Sequence, residues 1–207
     1  MRAFPLALAA AVLLTTSMHA AATEPVTVFL LDAKYNPIVR LEKLTPPLSE
    51  PLRAILAMYA LQVGGGCESD TDTGVQCDLT DALGVGPQCS AKQFKLIREW
   101  FIDIPQISGH QPDDYKNIRR PDVLEKNCYS SPITATFQEK WEKIRVKQDG
   151  AQVSVDAVGS YLARGDSGQF HYRSTYKVEG HSITVVSHER LPTKKRHQDP
   201  DEDDAGQ

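Results

Sequence analysis

The chain has 207 residues, of which 41% are hydrophobic and 24% are charged, and its formal net charge is −4 at pH 7. This length fits one domain of ordinary size, and the mild acidity excludes the basic footprint expected of a nucleic-acid-binding protein. No segment reaches the roughly 20 consecutive apolar residues that a membrane span needs, so we expect no membrane insertion.

The first 22 residues have the features of an export signal. Arg2 precedes an apolar run from Phe4 to Leu14, and small residues follow as far as Ala22. The run is too short to act as a stable membrane anchor, and the small residues suit cleavage. We therefore expect residues 1–22 to be removed and the protein to be periplasmic, with secretion from the cell as the alternative.

The first half of the remaining chain predicts one strand and two helices. Residues 26–31 are β-branched, aromatic or aliphatic and predict a strand, and the polar residues 32–36 predict the turn that ends it. Helical spacing then predicts an amphipathic helix from Leu48 to Val63. A capping box of Ser90 with Gln93 predicts the start of a second helix, and Pro105 predicts its end. One face of this helix is apolar and consists of Phe94, Ile97, Trp100, Phe101 and Ile104.

Four cysteines lie beyond the signal. An even number of cysteines in an exported protein predicts disulfides, and three pairings of four cysteines are possible. We favour Cys67 with Cys77 and Cys89 with Cys128. A zinc site is not predicted, because the spacings contain no closely spaced cysteine pair of the kind that zinc sites use.

The last third of the chain alternates with a period of two and predicts four antiparallel strands from about Phe137 to Glu189. A turn at Asp149-Gly150 places Val146 opposite Val153, and a turn at Glu179-Gly180 places Tyr176 opposite Ile183. The second register also sets His171 across from His188. A change of phase between Ala157 and Val158 predicts a β-bulge near Gly159.

Together these elements predict an α+β fold in which two amphipathic helices pack on a curved four-stranded antiparallel meander that disulfides staple. In its order of elements this arrangement resembles cystatin-like and nuclear-transport-factor-like rolls. Residues 23–192 form the single domain of this prediction. Residues 193–207 contain a basic triplet followed by acidic residues, and they predict a disordered charged tail.

Three patterns resemble catalytic or metal-binding sequences, and each has a simpler interpretation. Gly165-Asp166-Ser167-Gly168 resembles the segment around a protease nucleophile, but these residue types also favour turns, and we interpret it as a turn. His171 and His188 are interpreted as a surface pair rather than metal ligands. The acidic residues 68–81 do not match a calcium-binding loop. The sequence therefore predicts no catalytic residue, no metal and no cofactor.

Two long irregular segments, Cys67 to Cys89 and Pro105 to Pro132, are the unusual parts of the predicted domain. Binding sites often lie on such segments when a rigid body holds them. The second segment mixes charges with an aromatic ring, which suits a protein interface. Its predicted partner-binding residues are Asp113, Asp114, Tyr115, Arg119 and Arg120.

These observations favour a non-catalytic periplasmic protein that binds another protein, such as an inhibitor or an immunity protein directed against an envelope hydrolase. One alternative is an envelope hydrolase that uses His171, His188 or Ser167. Another is a roll with a pocket for a small apolar ligand between the sheet and the helices. The sequence leaves the oligomeric state and the identity of the partner open.

Overall fold

The structure, a computed structural model, describes residues 24–34, 36–62, 77–105, 125, 137–163 and 166–193. The predicted signal, the predicted interface residues 113–120 and all of the predicted tail except Thr193 lie outside the described residues. The described helices are α1 (Glu50–Gln62), α2 (Cys77–Leu83) and α3 (Ala91–Trp100). The described strands are β1 (Val26–Leu31), β2 (Pro37–Val39), β3 (Phe137–Asp149), β4 (Gln152–Ala163), β5 (Asp166–Glu179) and β6 (Ser182–Leu191).

The six strands form one antiparallel sheet in the order β2-β1-β3-β4-β5-β6. The prediction of a four-stranded sheet is therefore wrong. Strands β3 to β6 do follow one another as a meander, but β1 pairs with β3 and extends the sheet, and β2 pairs with β1. Strand β2 was missed because it has three residues and begins with Pro37, which suits an edge strand and weakens the sequence signal.

The predicted strand at residues 26–31 and the turn after it are confirmed. The carboxylate of Asp32 accepts the backbone N–H of Lys34 at 2.7 Å and that of Asn36 at 2.8 Å, which closes the turn between β1 and β2. Such side-chain to backbone bonds let an aspartate stabilise a turn locally.

Helix α1 is buried almost all the way round, so the prediction of an amphipathic helix is wrong for this element. Leu52 and every residue from Ala54 to Leu61 are buried. A helix that is apolar on all sides belongs in the interior of a fold. One side of α1 contacts the sheet through Tyr59, whose ring centroid lies 5.6 Å from that of Trp141, and other sides contact α2 and α3.

Helix α3 begins as predicted. The side chain of Ser90 accepts the backbone N–H of Gln93 at 3.1 Å, and the amide of Gln93 reaches back to accept the N–H of Cys89 at 3.0 Å. The same amide donates to the carbonyl of Ala57 at 2.9 Å and so joins α3 to α1. The helix ends at Trp100, five residues before the predicted end at Pro105, because Phe101 adopts an extended conformation and pairs with β6.

The two predicted hairpins form, but both registers are wrong by two residues. The turns are centred on Gly150-Ala151 and Gly180-His181, so Val146 lies opposite Val155 and Tyr176 lies opposite Val185. Gly150 and Gly180 both have φ +57°, a conformation that glycine adopts without strain at the first position of a tight turn. A shift of two residues keeps each side chain on its face, so the valines predicted to be buried are buried.

The predicted bulge lies across from Gly159 rather than in its strand. Glu142 is the extra residue in β3, since Trp141 pairs with Gly159 and Lys143 pairs with Val158. Gly159 itself lies under the ring of Phe170, where a Cβ atom would fall 2.3 Å from the ring and 2.7 Å from the carbonyl oxygen of Lys140. This position therefore requires glycine for space.

No disulfide bridge is complete within the described residues. Cys89 is disulfide-bonded, and the side chains of Cys67, Cys77 and Cys128 lie outside the described residues. The described residues therefore include one cysteine of a bridge but not its partner. Which cysteines pair remains a prediction from the sequence.

Replacement of Gly159 by alanine is expected to destabilise the protein. The added methyl group would overlap the buried ring of Phe170, and overpacking of a core costs about 1–3 kcal/mol. Urea unfolding followed by circular dichroism measures the loss. The control is Ser160→Ala, because the next residue faces the other side of the sheet; equal stability of the two variants would contradict the assigned packing.

Candidate functional site

A pocket of about 530 Å³ lies at the outer edge of β6. One wall is β6 itself, from Ile183 to His188, and the other is the segment from Ile102 to Pro105 that follows α3. Because β6 is an edge strand, none of the other described strands covers its outer side. We call this site the β6 pocket.

The β6 pocket exists because the chain leaves the strand edge after a single contact. Phe101 forms a parallel bridge with Ile183, and its ring packs edge-on against Tyr176 with the centroids 6.0 Å apart. The next four residues, from Ile102 to Pro105, form the second wall of the pocket. Trp100 and His181, whose ring centroids are 4.2 Å apart, hold α3 against the start of β6.

A β-bulge in β6 determines which side chains reach the pocket. Tyr176 pairs with Val185 and Thr175 pairs with Ser187, so Val186 is the extra residue. The side chain of Val186 is 55% exposed and that of Ile102 is 75% exposed; both line the β6 pocket. Bulges redirect side chains in this way, and they are enriched near functional sites.

The same bulge turns His188 onto the core side of the sheet. His188 lies opposite Ser174 in the register, and its ring stacks on Tyr172 with an interplanar angle of 11° and a centroid distance of 5.0 Å. The ring nitrogen Nδ1 lies 2.8 Å from the hydroxyl oxygen of Ser174. His188 therefore joins the pocket to the buried core.

Buried hydroxyl groups continue this connection inwards. The hydroxyl of Tyr176 donates to that of Tyr59 at 3.2 Å, and Tyr59 donates to Ser174 at 2.9 Å. The contact between the Ser174 hydroxyl and Nδ1 of His188 completes this series. We call these four residues the hydroxyl chain.

Burial controls the acidity of the hydroxyl chain. Desolvation raises the pKa of Tyr59 to about 12, although its hydrogen bonds with Ser174 and Tyr176 oppose the shift. Desolvation also raises the pKa of Tyr176 well above the ordinary value for tyrosine. Both phenols are therefore neutral near pH 7 and act as hydrogen-bonding groups. Ser174 is completely buried, so its oxygen is not open to attack on a substrate.

The opposite face of the sheet carries a charged cluster around Asp156. Its carboxylate accepts hydrogen bonds from Arg145 at 2.8 Å and Arg173 at 3.2 Å. Nε2 of His171 also lies 3.2 Å from this carboxylate. The two groups are close enough for an ion pair, but they are not aligned for a hydrogen bond. Partial burial opposes ionisation of Asp156, yet the neighbouring arginine holds its pKa below the usual range.

The predicted pairing of His171 with His188 is wrong. His171 pairs with Leu191, while His188 pairs with Ser174 and lies on the other face of the sheet. The cause is the register, which differs from the predicted one by three residues beyond Val186. An odd difference reverses the face on which a side chain lies.

Ser167 is not in a turn as predicted but lies within β5 and pairs with Leu162. His171 is four residues further along the same strand, about 13 Å away at the usual rise of a β-strand. A Cβ atom at Gly168 would fall 2.8 Å from the ring of Tyr161, which would have to shift. The structure therefore does not bring together the residues of the hydrolase alternative.

The roll alternative expects a ligand pocket between the sheet and the helices. The space between the sheet and α1 is filled by fully buried side chains, including Tyr59, Trp141 and Phe170. Ring contacts connect them, with centroids 5.2 Å apart for Trp141 and Phe170. The β6 pocket lies outside this packed core.

Sequence reasoning missed the residues that form the β6 pocket and the hydroxyl chain. Ile102 and Ile104 were assigned to a helix, and Val186 had no signal that separated it from an ordinary strand residue. Ser174 lies on the apolar face of a strand in which apolar and polar residues alternate. A buried polar residue needs a hydrogen-bond partner, so this serine was the available signal for the hydroxyl chain.

No protein family matches this chain, and no curated protein or solved structure is significantly similar to it. None of the helices in the described ranges is long and apolar enough to cross a membrane.

Replacement of Ser174 by alanine is expected to destabilise the fold. It removes the acceptor of the Tyr59 hydroxyl and the partner of His188 Nδ1, and an unpaired buried polar group costs about 1–3 kcal/mol. Chemical denaturation measures the change. Ser154→Ala, on the opposite face of the neighbouring strand, is the control and should change stability by less than about 0.5 kcal/mol. A Ser174 variant as stable as this control would refute the hydroxyl chain.

The protein is also expected to lose stability in alkali. An unfolded tyrosine has a pKa of about 10, whereas Tyr59 has a pKa of about 12 in the fold. The unfolded state therefore releases its proton first, and the contribution of Tyr59 to stability is complete below pH 10 and declines as the pH rises towards 12.

The free energy of unfolding, measured by urea titration at intervals from pH 8 to pH 11.5, tests this expectation. Tyr59→Phe cannot ionise at this position, so its stability should fall less steeply above pH 10. Parallel curves for the wild type and the variant would contradict the assignment.

Proposed function

We propose that this is an exported, non-catalytic protein that binds another protein at the β6 pocket. The observation that carries the proposal is the placement of Ile102 and Val186. Both are large apolar side chains exposed to solvent, at 75% and 55%, and both border the same pocket on the same strand edge. Exposed apolar residues that cluster around a concavity are typical of binding sites, whereas isolated ones are not.

The occupant that this geometry suits is an extended segment of a partner protein with a bulky apolar side chain. The outer edge of β6 already accepts extended backbone from Phe101 at Ile183, and the pocket continues along the same edge. Addition of a strand to an open sheet edge is a common form of peptide recognition, in which pockets beside the edge select side chains.

Several features support a binding role over a catalytic one. Ser167 and His171 are separated along one strand, and His171 and His188 lie on opposite faces of the sheet. Ser174 does contact His188, but it is completely buried. A serine that attacks a substrate must expose its oxygen to that substrate. A catalytic role would therefore require Ser174 to become exposed, whereas the binding proposal does not.

The export signal suggests where the partner acts. An exported binding protein of this size suits an inhibitor or an immunity protein that protects the cell envelope, and a hydrolase of the envelope is the class of partner that we propose. The predicted interface residues 113–120 lie outside the described residues.

The test is a double substitution at the rim of the β6 pocket. The purified protein is used as bait on envelope extract, the captured protein is identified by mass spectrometry and purified, and its affinity is measured by calorimetry. Ile102→Glu with Val186→Glu should weaken binding about 100-fold, because central apolar contacts each contribute about 1–2 kcal/mol.

The matched control is Ala151→Glu with Gln152→Glu, which adds the same charge at the exposed β3-β4 turn. It should keep the wild-type affinity. Equal affinity of both double variants would refute the β6 pocket as the binding site. Recovery of a small apolar molecule from the natively purified protein, displaced by the rim substitutions, would replace the proposed protein partner with a small ligand.

A further inference from the structure

The face of the sheet opposite α1 is lined with charge. In the strand register, Arg145, Asp156, Arg173 and Glu189 form a row across β3 to β6 in which positive and negative side chains alternate. Lys143 and Lys147 lie on either side of Arg145 in β3 and begin the two neighbouring rows. We call the three rows the open face; it consists of Lys143, Arg145, Lys147, Ser154, Asp156, Val158, His171, Arg173, Thr175, Ser187, Glu189 and Leu191.

The open face differs in charge from the rest of the protein. Its three rows have four cationic side chains against two carboxylates, whereas the whole chain has a net charge of −4; the adjoining row on the same face, which consists of Asp149, Gln152, Lys177 and Thr184, adds one charge of each sign. Every residue of the open face is exposed or half-buried. Among the described elements, the helices pack on the other face of the sheet, where the buried residues lie.

The arginines of the open face are held in position. Arg145 and Arg173 each donate through one Nη2 atom to a different oxygen of Asp156, at 2.8 Å and 3.2 Å. A guanidinium group has five N–H donors, so each arginine retains donors beyond this contact. Side chains that are already ordered lose less conformational entropy when they bind a ligand.

Lys143 and Lys147 add positive charge that the carboxylates of the alternating row do not neutralise. Lys143 and Lys147 form no ion pair with a carboxylate in the described part of the chain. Together with the two arginines they present cations to one side of the sheet, at intervals of about 7 Å along β3. Carboxylates are the groups that such donors bind best, and arginine binds them in a bidentate manner.

We propose that the open face binds an acidic surface of a second protein. This inference concerns a face that the β6 pocket does not include, and it does not rest on the function proposed above. A protein surface is favoured over a nucleic acid because Asp156 and Glu189 lie within the open face. They would repel the closely spaced charges of a phosphate backbone more strongly than the flexible glutamates of an acidic protein surface, and such a surface can also place a cation opposite each carboxylate.

The probe for the test is fluorescently labelled poly-L-glutamate, with binding measured by fluorescence anisotropy at 50 mM and 200 mM salt. The full-length protein should bind it and should bind more weakly at the higher salt concentration. Lys143→Glu with Lys147→Glu should weaken binding at least tenfold. Lys143→Ala with Lys147→Ala, which adds no repulsion, should weaken it about threefold to fivefold.

The matched control is Lys92→Glu with Lys95→Glu, two exposed lysines of α3. It makes the same change in net charge away from the open face, so its affinity should stay within twofold of the wild type once both variants are shown to be folded by circular dichroism. Equal loss in the two glutamate variants would overturn the proposal, since total charge would then explain the binding.

Three other outcomes would also overturn it. The first is no detectable binding of poly-L-glutamate at 50 mM salt. The second is tighter binding of single-stranded DNA, or of vesicles that contain phosphatidylglycerol, than of poly-L-glutamate. The third is a dimer in sedimentation experiments that dissociates on Lys143→Glu with Lys147→Glu, which would assign the open face to a second copy of this chain.

Discussion

The contacts of Tyr59 determine how the central helix lies on the sheet. Helix α1 is apolar on nearly every side, and apolar contacts have no direction, so burial alone would allow the helix to rotate about its axis. Hydrogen bonds are directional. The hydroxyl of Tyr59 reaches Ser174 in β5, and its backbone carbonyl accepts the indole N–H of Trp141 in β3 at 3.0 Å. These two bonds select one orientation of α1, and the positions of α2 and α3 follow from it.

The two surfaces with proposed binding roles meet at β6. Val186 faces the β6 pocket, Glu189 completes the charged row of the open face, and His188 enters the hydroxyl chain. One strand thus contributes to an apolar site, to a charged site and to the core. This arrangement requires a break in the simple alternation of the strand, and the extra residue at Val186 provides that break.

The sequence indicated which side chains would be buried more reliably than which residues would be neighbours. Val146 and Val153 were correctly placed on the apolar face, because alternation alone determines the face. Their cross-strand partners were wrong, because the turn is centred on Gly150-Ala151 and the dipeptide Asp149-Gly150 suggested another centre. The capping box at Ser90 was correct because its signal is contained within four residues.

Sequence patterns did not predict most of the candidate site. The β6 pocket depends on the point where the chain departs from β6 after Phe101, and helical periodicity continued past that point. The charged row depends on the register of four strands, which an error of two residues in each hairpin obscures. The predicted partner residues from Asp113 to Arg120 lie outside the described residues, so that interface remains a prediction.

The extra residue in β6 can be removed without changing how the strand pairs with β5. Loss of Val186 would leave Val185 opposite Tyr176 and Ser187 opposite Thr175, so His188 would still lie opposite Ser174 and Glu189 opposite Arg173. The exposed apolar side chain that borders the β6 pocket would be lost. A one-codon deletion would therefore alter the apolar site while the charged row and the hydroxyl chain keep their partners.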